Sequence, residues 1–307
     1  DDIDANREML TCEIEGKSVC VIGGAGSIGS SYIRAICRFR PAKLVVIDLN
    51  ENGLAELTRD LRSIDGMYVP EEFRTYTLNF ADPIFERIFR DEKGFDIVAN
   101  FSAHKHVRSE KDKYSVQALI ENNDIKAKKL MDLLTVYPPK HFFCVSTDKA
   151  ANPVNIMGAS KRIMEDLVMA YNQYFKITTA RFANVAFSNG SLPDGWIHRL
   201  QKKQPLVAPS DVLRYFVSLE ESGQICMLAC ILGNVPGEKI DMDRFTSLGV
   251  VCESTRRPMN EVNEFFTELE GIFHKDDFTK AEIVTAIKGF IPNFEHEEKG
   301  KNLDQKM

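Results

Sequence analysis

Through the first half of the chain, short apolar runs rich in β-branched residues alternate with amphipathic stretches. The runs at 18–22, 43–47, 75–79, 96–100, 141–146 and 178–181 are brief and bounded by turn formers, which reads as strands of a covered sheet. Between them, segments 27–38, 51–63, 83–90, 115–136 and 160–175 repeat apolar residues at helical spacing. Strand alternating with helix predicts an α/β chain with a Rossmann-type doubly wound parallel sheet. Beyond Phe182 the alternation weakens into loops rich in Gly, Pro and Asn, such as FSNGSLPDG and QPLVAPSD. The expected division is a first unit over 1–183, to which 217–235 returns through a helix at 219–232, and a smaller ligand-covering lobe from 184–216 and 236–307. The closing HEEKGKNLDQKM reads as a solvated tail.

Composition acts mainly by exclusion. A chain of 307 residues, 44% hydrophobic and 27% charged, can bury an ordinary core. A formal net charge of -6, with no long Lys/Arg run, argues against nucleic acid as a partner. The 7 cysteines are odd in number, lack CxxC spacing and have no His companions, so free thiols in a reducing compartment and no metal are expected. No apolar run approaches the about 18 residues of a membrane span, and the opening DDIDANREML is acidic. The expectation is a cytoplasmic chain without membrane contact.

The first candidate chemistry lies in SVCVIGGAGSIGSSYI, where Gly23, Gly26 and Gly29 fall between a strand and a helix. Missing side chains there allow a tight turn and close approach of backbone amides to a pyrophosphate, which the helix N-terminus favours electrostatically. Ser27 and Ile28 belong to the same loop. Asp48 ends the next strand, placed to accept hydrogen bonds from the adenosine ribose hydroxyls; with Leu49 and Asn50 beside it and no Arg, NAD is expected over NADP. Asn79, closing the third strand, is assigned to the same cofactor. A second cluster, Ser146, Thr147, Asp148 and Lys149, follows the fifth strand at the sheet edge where such folds place ligand crevices. Read alone, it is either an acid and base beside a cofactor or a surface loop with an incidental ion pair.

The glycine spacing, FSAHKHV, STDKAANPVNIMGASK and RFANVAFSNGS together resemble the extended short-chain dehydrogenase/reductase family, specifically its UDP-N-acetylglucosamine 4,6-dehydratase branch among the polysaccharide-biosynthesis dehydratases. The likeness covers residues of about 17 to 235, and 239–262 match poorly. It implies an NAD enzyme that oxidises C4 of the sugar, eliminates water across C5–C6 and returns the hydride to C6. Lys149 would take the C5 proton in its neutral form, its pKa lowered by burial or by Lys161. Asp148 would protonate the C6 hydroxyl, Thr147 would bond the C4 oxygen, and Lys161 would hold the nicotinamide ribose. Ala103 would pass under the cofactor, with Lys105 near sugar or cofactor between His104 and His106. Asn122, or else Asn123, would brace the active-site strand. Asn184, the turn Ser188-Asn189-Gly190-Ser191 and Arg214 would approach the UDP diphosphate; without the family, Arg214 reads as a salt bridge to Asp211 or Glu220.

Met157 departs from the family's tyrosine, and a thioether carries no titratable proton. Either the enzyme is dead or it moves the proton differently; the resemblance implies the second, in the Met-bearing branch that retains configuration at C5. The acceptor of the C4 hydroxyl proton stays open between Lys161 through a water and Asp148. The rival readings are an epimerase of the same fold and a catalytically silent NAD-binding regulator. The resemblance also implies a homo-oligomer formed through helices such as 115–136 and 160–175.

Overall fold

The computed structural model describes residues 2–105, 110, 112–207, 214–233, 245, 246, 248, 249 and 257–296. Strands β1 (Ser18–Ile22), β2 (Lys43–Asp48), β3 (Glu72–Thr77), β4 (Ile97–Asn100), β5 (His141–Val145) and β6 (Ile177–Ala180) form one parallel sheet in the order β3-β2-β1-β4-β5-β6. The chain is thus the doubly wound α/β fold its periodicity predicts. Ile22 pairs with Ile47 on one side and Asn100 on the other, and Val145 with Ala180, so the segments following these strands emerge along one edge. The strand order reverses between β1 and β4, which opens a crevice at that edge. β3 lies earlier than the expected 75–79: its ladder to β2 runs from Glu72 to Thr77, and Asn79 falls just beyond it. As the outermost strand it is only partly covered, so apolar content was a weak guide to its ends.

Short helices α1 (Asp2–Ala5) and α2 (Arg7–Ile14) precede the sheet, and Leu10 and Ile14 are fully buried. Helices α3 (Ser27–Cys37), α4 (Glu51–Ser63) and α5 (Pro83–Glu92) follow β1, β2 and β3. The expected helix 115–136 is instead α6 (Lys113–Ile120), a π-helical turn at Glu121–Ile125, and α7 (Lys126–Val136). The widened turn carries Asn123, whose amide is held inside by other elements. Helix α8 (Ile156–Ala170) starts before the expected residue 160, because the Asn155 side chain accepts from the Gly158 amide at 2.8 Å and caps it.

Beyond β6, strands β7 (Asn184–Val185) and β8 (Phe216–Val217) pair in parallel, with α9 (Leu192–Gln201) between them in sequence. Helix α10 (Leu219–Leu232) packs closely on α3: a Cβ on Gly223 would lie 2.4 Å from the Ser31 carbonyl carbon, and the Ser31 hydroxyl donates to the Leu219 carbonyl at 2.5 Å. That contact clamps the helix that carries the glycine loop.

Two further helices, α11 (Met259–Phe273) and α12 (Lys280–Phe290), follow. Their Val262, Phe265, Phe266, Leu269, Ile287 and Phe290 share one core with Ile163, Leu167 and Val168 of α8 and with the sheet. Residues 257–296 therefore pack on the nucleotide-binding unit, and among them none lines the main cleft, where a substrate lobe was expected from 236–307. This same packing covers one face of α8 with the chain's own apolar side chains. Arg257 fastens the arrangement, donating to Asp166 of α8 and to the Phe290 carbonyl. No helix of the described residues is long and apolar enough to cross a membrane.

Candidate active site

A cleft of about 840 Å³ runs along the C-terminal edge of the sheet. At its β1 end lies the glycine loop. Gly23 has φ +74°, and a Cβ there would come within 2.7 Å of the Ser102 amide nitrogen; one on Gly29 would lie 2.4 Å from the Gly23 carbonyl oxygen. These two positions require glycine, whereas Gly26 is merely tight, its Cβ meeting the Gly23 oxygen at 3.3 Å. Gly26 caps α3 without a side-chain hydrogen bond, so the first amides of α3 face the cleft unsatisfied by any side chain, as an anion requires. Ser27, Ile28 and Gly29 line the cleft there.

Asp48 lines the cleft from the end of β2, and its carboxylate accepts from the Ala25 amide at 2.9 Å and the Asn50 amide at 2.9 Å. It therefore fixes the glycine loop as well as facing the cleft, and its remaining lone pairs are free for ribose hydroxyls. Asn79 stands beside Leu49, Leu78 and Phe80, an apolar slot of suitable chemistry for a flat base. Ala103 lines the floor. The Ser146 hydroxyl lines it too, buried and without a hydrogen-bond partner, a polar atom that a bound group would satisfy. The loop, the uncapped helix start and this orphaned hydroxyl fit a dinucleotide.

At the β5 end, Thr147, Lys149, Met157 and Lys161 line the same cleft. Met157 and Lys161 stand one helical turn apart on α8, both buried. The Lys161 ammonium donates to the Val145 carbonyl at 3.2 Å, and burial pushes its pKa down against the opposing charges of Cys144, Asp124 and Glu165. Asp148 does not line the cleft. Its side chain is 54% exposed and accepts from the Thr147 hydroxyl at 2.8 Å and from the Lys149 ammonium at 3.2 Å. Burial opposes ionisation of Asp148, but those two bonds prevail and hold the carboxyl below its usual range. The free protein thus presents an ion pair. Burial of Lys149, one of the expected sources of a neutral base, is only partial: its side chain is 37% exposed and faces Asp148.

The choice between Asn122 and Asn123 falls to Asn123 as the brace. Its side chain accepts from the His104 amide at 2.7 Å and donates to the His104 carbonyl and to the Ser160 hydroxyl, each at 3.0 Å, tying the loop after β4 to α8. Asn122 lines the cleft instead. Glu110, which the sequence reading missed, accepts from the Met157 amide at 2.9 Å and so anchors the first turn of α8. Nothing in its sequence neighbourhood marks it, because the contact spans 47 residues.

On the far wall, Lys105, Asn184, Ser188, Gly190, Ser191 and Arg214 line the cleft. Asn189 does not. Its backbone connects two other groups, the amide donating to the Ser27 hydroxyl and the carbonyl accepting from the Lys105 ammonium, each at 2.9 Å. Lys105 stays open to solvent, yet crowding at the cleft rim lowers its pKa despite Asp194 nearby. Arg214 does not pair with Glu220, which bonds Arg38 at 3.0 Å; Asp211 lies outside the described residues, as do His106 and much of the poorly matching 239–262. Among the described residues, no three His, Cys, Asp or Glu side chains gather to hold a metal ion.

Sheet order, glycine loop and the titratable group at the strand ends define a Rossmann-type α/β protein with a nucleotide-sized cleft. A model of the polysaccharide biosynthesis protein family matches residues 19–240, and the chain belongs to that family. An uncharacterized membrane protein of Methanocaldococcus jannaschii is 31% identical over 222 residues, covering 70% of this chain and 63% of the relative. The UDP-N-acetylglucosamine 4,6-dehydratase (inverting) of Campylobacter jejuni is 26% identical over 215 residues, covering 67% of this chain and 61% of that enzyme. The chain spans less than two thirds of the length of either relative. The solved structure of the Bordetella bronchiseptica enzyme WbmF in complex with NAD+ and UDP shares the fold, with a TM-score of 0.57 at 18% identity over 70% of each chain.

Proposed function

We propose that this chain is an NAD-dependent dehydratase of UDP-N-acetylglucosamine, or of a close UDP-sugar, forming the 4-keto-6-deoxy product with retention at C5. The observation that carries this reading is the hydrogen-bonded Thr147-Asp148-Lys149 unit beside the cleft. An epimerase that only oxidises and reduces C4 has no use for such a pair. The relationship to a named 4,6-dehydratase, itself inverting, supports dehydration over epimerisation, while retention rests on Met157 alone. The glycine loop, Asp48, Asn79, Ala103 and Lys161 would hold the dinucleotide, and Lys105, Asn184, Ser188 and Arg214 the UDP-sugar. Bound NAD supplies the hydride acceptor for C4 and the hydride donor for C6.

The protein's part is to manage protons. A ketone at C4 makes the C5 proton acidic. Passing one proton along the 3.2 Å bond from Lys149 to Asp148 turns the resting ion pair into an amine base and a carboxylic acid together. Lys149 takes the C5 proton, and Asp148 gives its own, through the Thr147 hydroxyl, to the C6 oxygen that leaves as water. Lys149 then returns a proton to C5 from the side it was taken, which is retention. Met157 offers no competing acid or base. The C4 hydroxyl proton needs its own acceptor, and Lys161, pushed towards its amine by burial in the same cleft, is suited to it.

Mass spectrometry of UDP-N-acetylglucosamine incubated with the protein tests the reading. A product lighter by one water is expected without added reductant. An unchanged mass with altered retention time would mean an epimerase, and absence of product a regulator.

A further inference from the structure

Segments far apart in sequence meet at the cleft through the backbone of one residue. Ser27, the first residue of α3, follows β1, and Lys105 follows β4. The strand order reverses between those two strands, so Ser27 and Lys105 belong to loops on either side of the crevice that the reversal opens, and both line it. Asn189, in the turn between β7 and α9, spans them: its amide donates to the Ser27 hydroxyl and its carbonyl accepts from the Lys105 ammonium, each at 2.9 Å. The turn is held to move as a unit. The Ser188 hydroxyl donates to the Val185 carbonyl at 2.9 Å, the Ser191 amide to the Ser188 carbonyl at 2.8 Å, and the Gly190 amide to the Asp194 carboxylate at 3.0 Å. Asn189 does not line the cleft, but Ser188, Gly190 and Ser191 do, and any shift of its backbone carries them with it.

We propose that Asn189 is a positioning residue whose backbone couples the two ligands, registering the turn that meets the UDP diphosphate against the helix start that meets the dinucleotide pyrophosphate. This rests on the reading of the turn as the UDP-sugar wall. A hydroxyl that accepts one hydrogen bond keeps its own proton to donate. Given by Ser27 to a cofactor phosphate, that bond makes the hydroxyl oxygen a stronger acceptor for the Asn189 amide, because hydrogen bonds in a chain polarise one another. At the other end, Lys105 uses one of its three ammonium protons on the Asn189 carbonyl and keeps two for an anionic substrate. A substrate that fixes this long side chain removes the entropy that ordering it for Asn189 would otherwise cost. Each ligand thus firms a bond that places the other's donors, and no proton changes owner.

Titration calorimetry tests the coupling, with UDP as the probe of the substrate side. In the natural protein, saturating UDP should tighten NAD+ about tenfold, and NAD+ should tighten UDP by the same factor, as linkage requires. Ser27→Ala and Lys105→Met each remove one of the two bonds. In each the factor should fall to within about twofold of unity, whatever happens to either affinity alone. Asn189→Ala keeps both backbone groups and should keep the factor. A role confined to folding, or to direct contact with one ligand, would change single affinities and leave the factor in place. That result overturns the proposal, as does a factor near unity in the natural protein or its loss in Asn189→Ala. Hydrogen exchange over residues 187–191 reads the cofactor half without UDP: NAD+ alone should slow exchange there in the natural protein and not in Ser27→Ala. Equal exchange with and without NAD+ overturns the proposal. Failure of UDP to bind any of these proteins would instead sink the substrate assignment, and the exchange result would still decide whether the cofactor acts on the turn.

Discussion

Two glycines and one lysine carry most of the account at the level of single residues. Gly29 was legible in the sequence because a glycine between strand and helix has a mechanical reason, and the structure supplies it in the Gly23 carbonyl that a side chain would strike. Gly29→Ala should weaken NAD binding at least about tenfold by displacing the loop from the phosphates, a cost of roughly 1.4 kcal/mol; titration calorimetry would read it. Lys149→Met should lower turnover by about 10²–10⁴-fold, the usual worth of a positioned base, while leaving the NAD dissociation constant unchanged. Loss of cofactor binding in that variant would show that Lys149 is structural. Met157→Tyr introduces an ionisable phenol, and the expected result is a product partly inverted at C5 by NMR; complete retention would separate Met157 from the stereochemical outcome. Thr147, Lys149 and Lys161 were legible from the strand-end motif. Glu110 was not, since its contact with the Met157 amide spans 47 residues.

Elements were legible where their pattern was local. The central strands and α4 follow from apolar periodicity and caps, whereas the π-turn depends on side-chain bonds to distant segments, from Asn123 to His104 and Ser160, and the early start of α8 on the Asn155 cap, supported from a distance by Glu110. The C-terminal helices lie outside the recognisable motifs, and their docking is a matter of shape. Phe266, fully buried between α11 and its neighbours, makes that docking testable: Phe266→Ala should cost about 3–5 kcal/mol in denaturant unfolding. A loss under 1 kcal/mol would mean that α11 is not part of the core. The junction of α2 and β5 carries a pH dependence. Burial lowers the pKa of His141, whose Nε2 lies 2.7 Å from Glu13 while Nδ1 is buried without a partner. For Glu13, burial favours the neutral acid, but hydrogen bonds from Lys140 and His141 outweigh it and hold the carboxyl low. Both groups bind protons less readily folded than unfolded, so stability is full at neutral pH. It is lost as pH falls below about 6.5 for His141 and further below about 4.5 for Glu13. Melting temperature from pH 8 to 4 should fall less steeply in His141→Gln, and parallel curves would contradict this assignment.

At the scale of the whole molecule, one edge of one sheet carries the glycine loop, Thr147 and Lys149 after β5 and the wall of Lys105 and Arg214, and α10 and α11 press on α3 and α8. Such an arrangement suits the proposed reaction, in which a cofactor would be used twice without leaving, the hydride removed at C4 returning at C6 of the same sugar. The sequence motifs pointed to this cleft, but the covering of α8 by α11 and α12 was invisible to them. The claim that unites these features is intramolecular hydride return. UDP-N-acetylglucosamine deuterated at C4 should yield, by mass spectrometry and NMR, a product that has lost one water and carries the deuterium in its C6 methyl group. A dehydrated product with protium there, or a deuterium that remains at C4 in a sugar of unchanged mass, would contradict it.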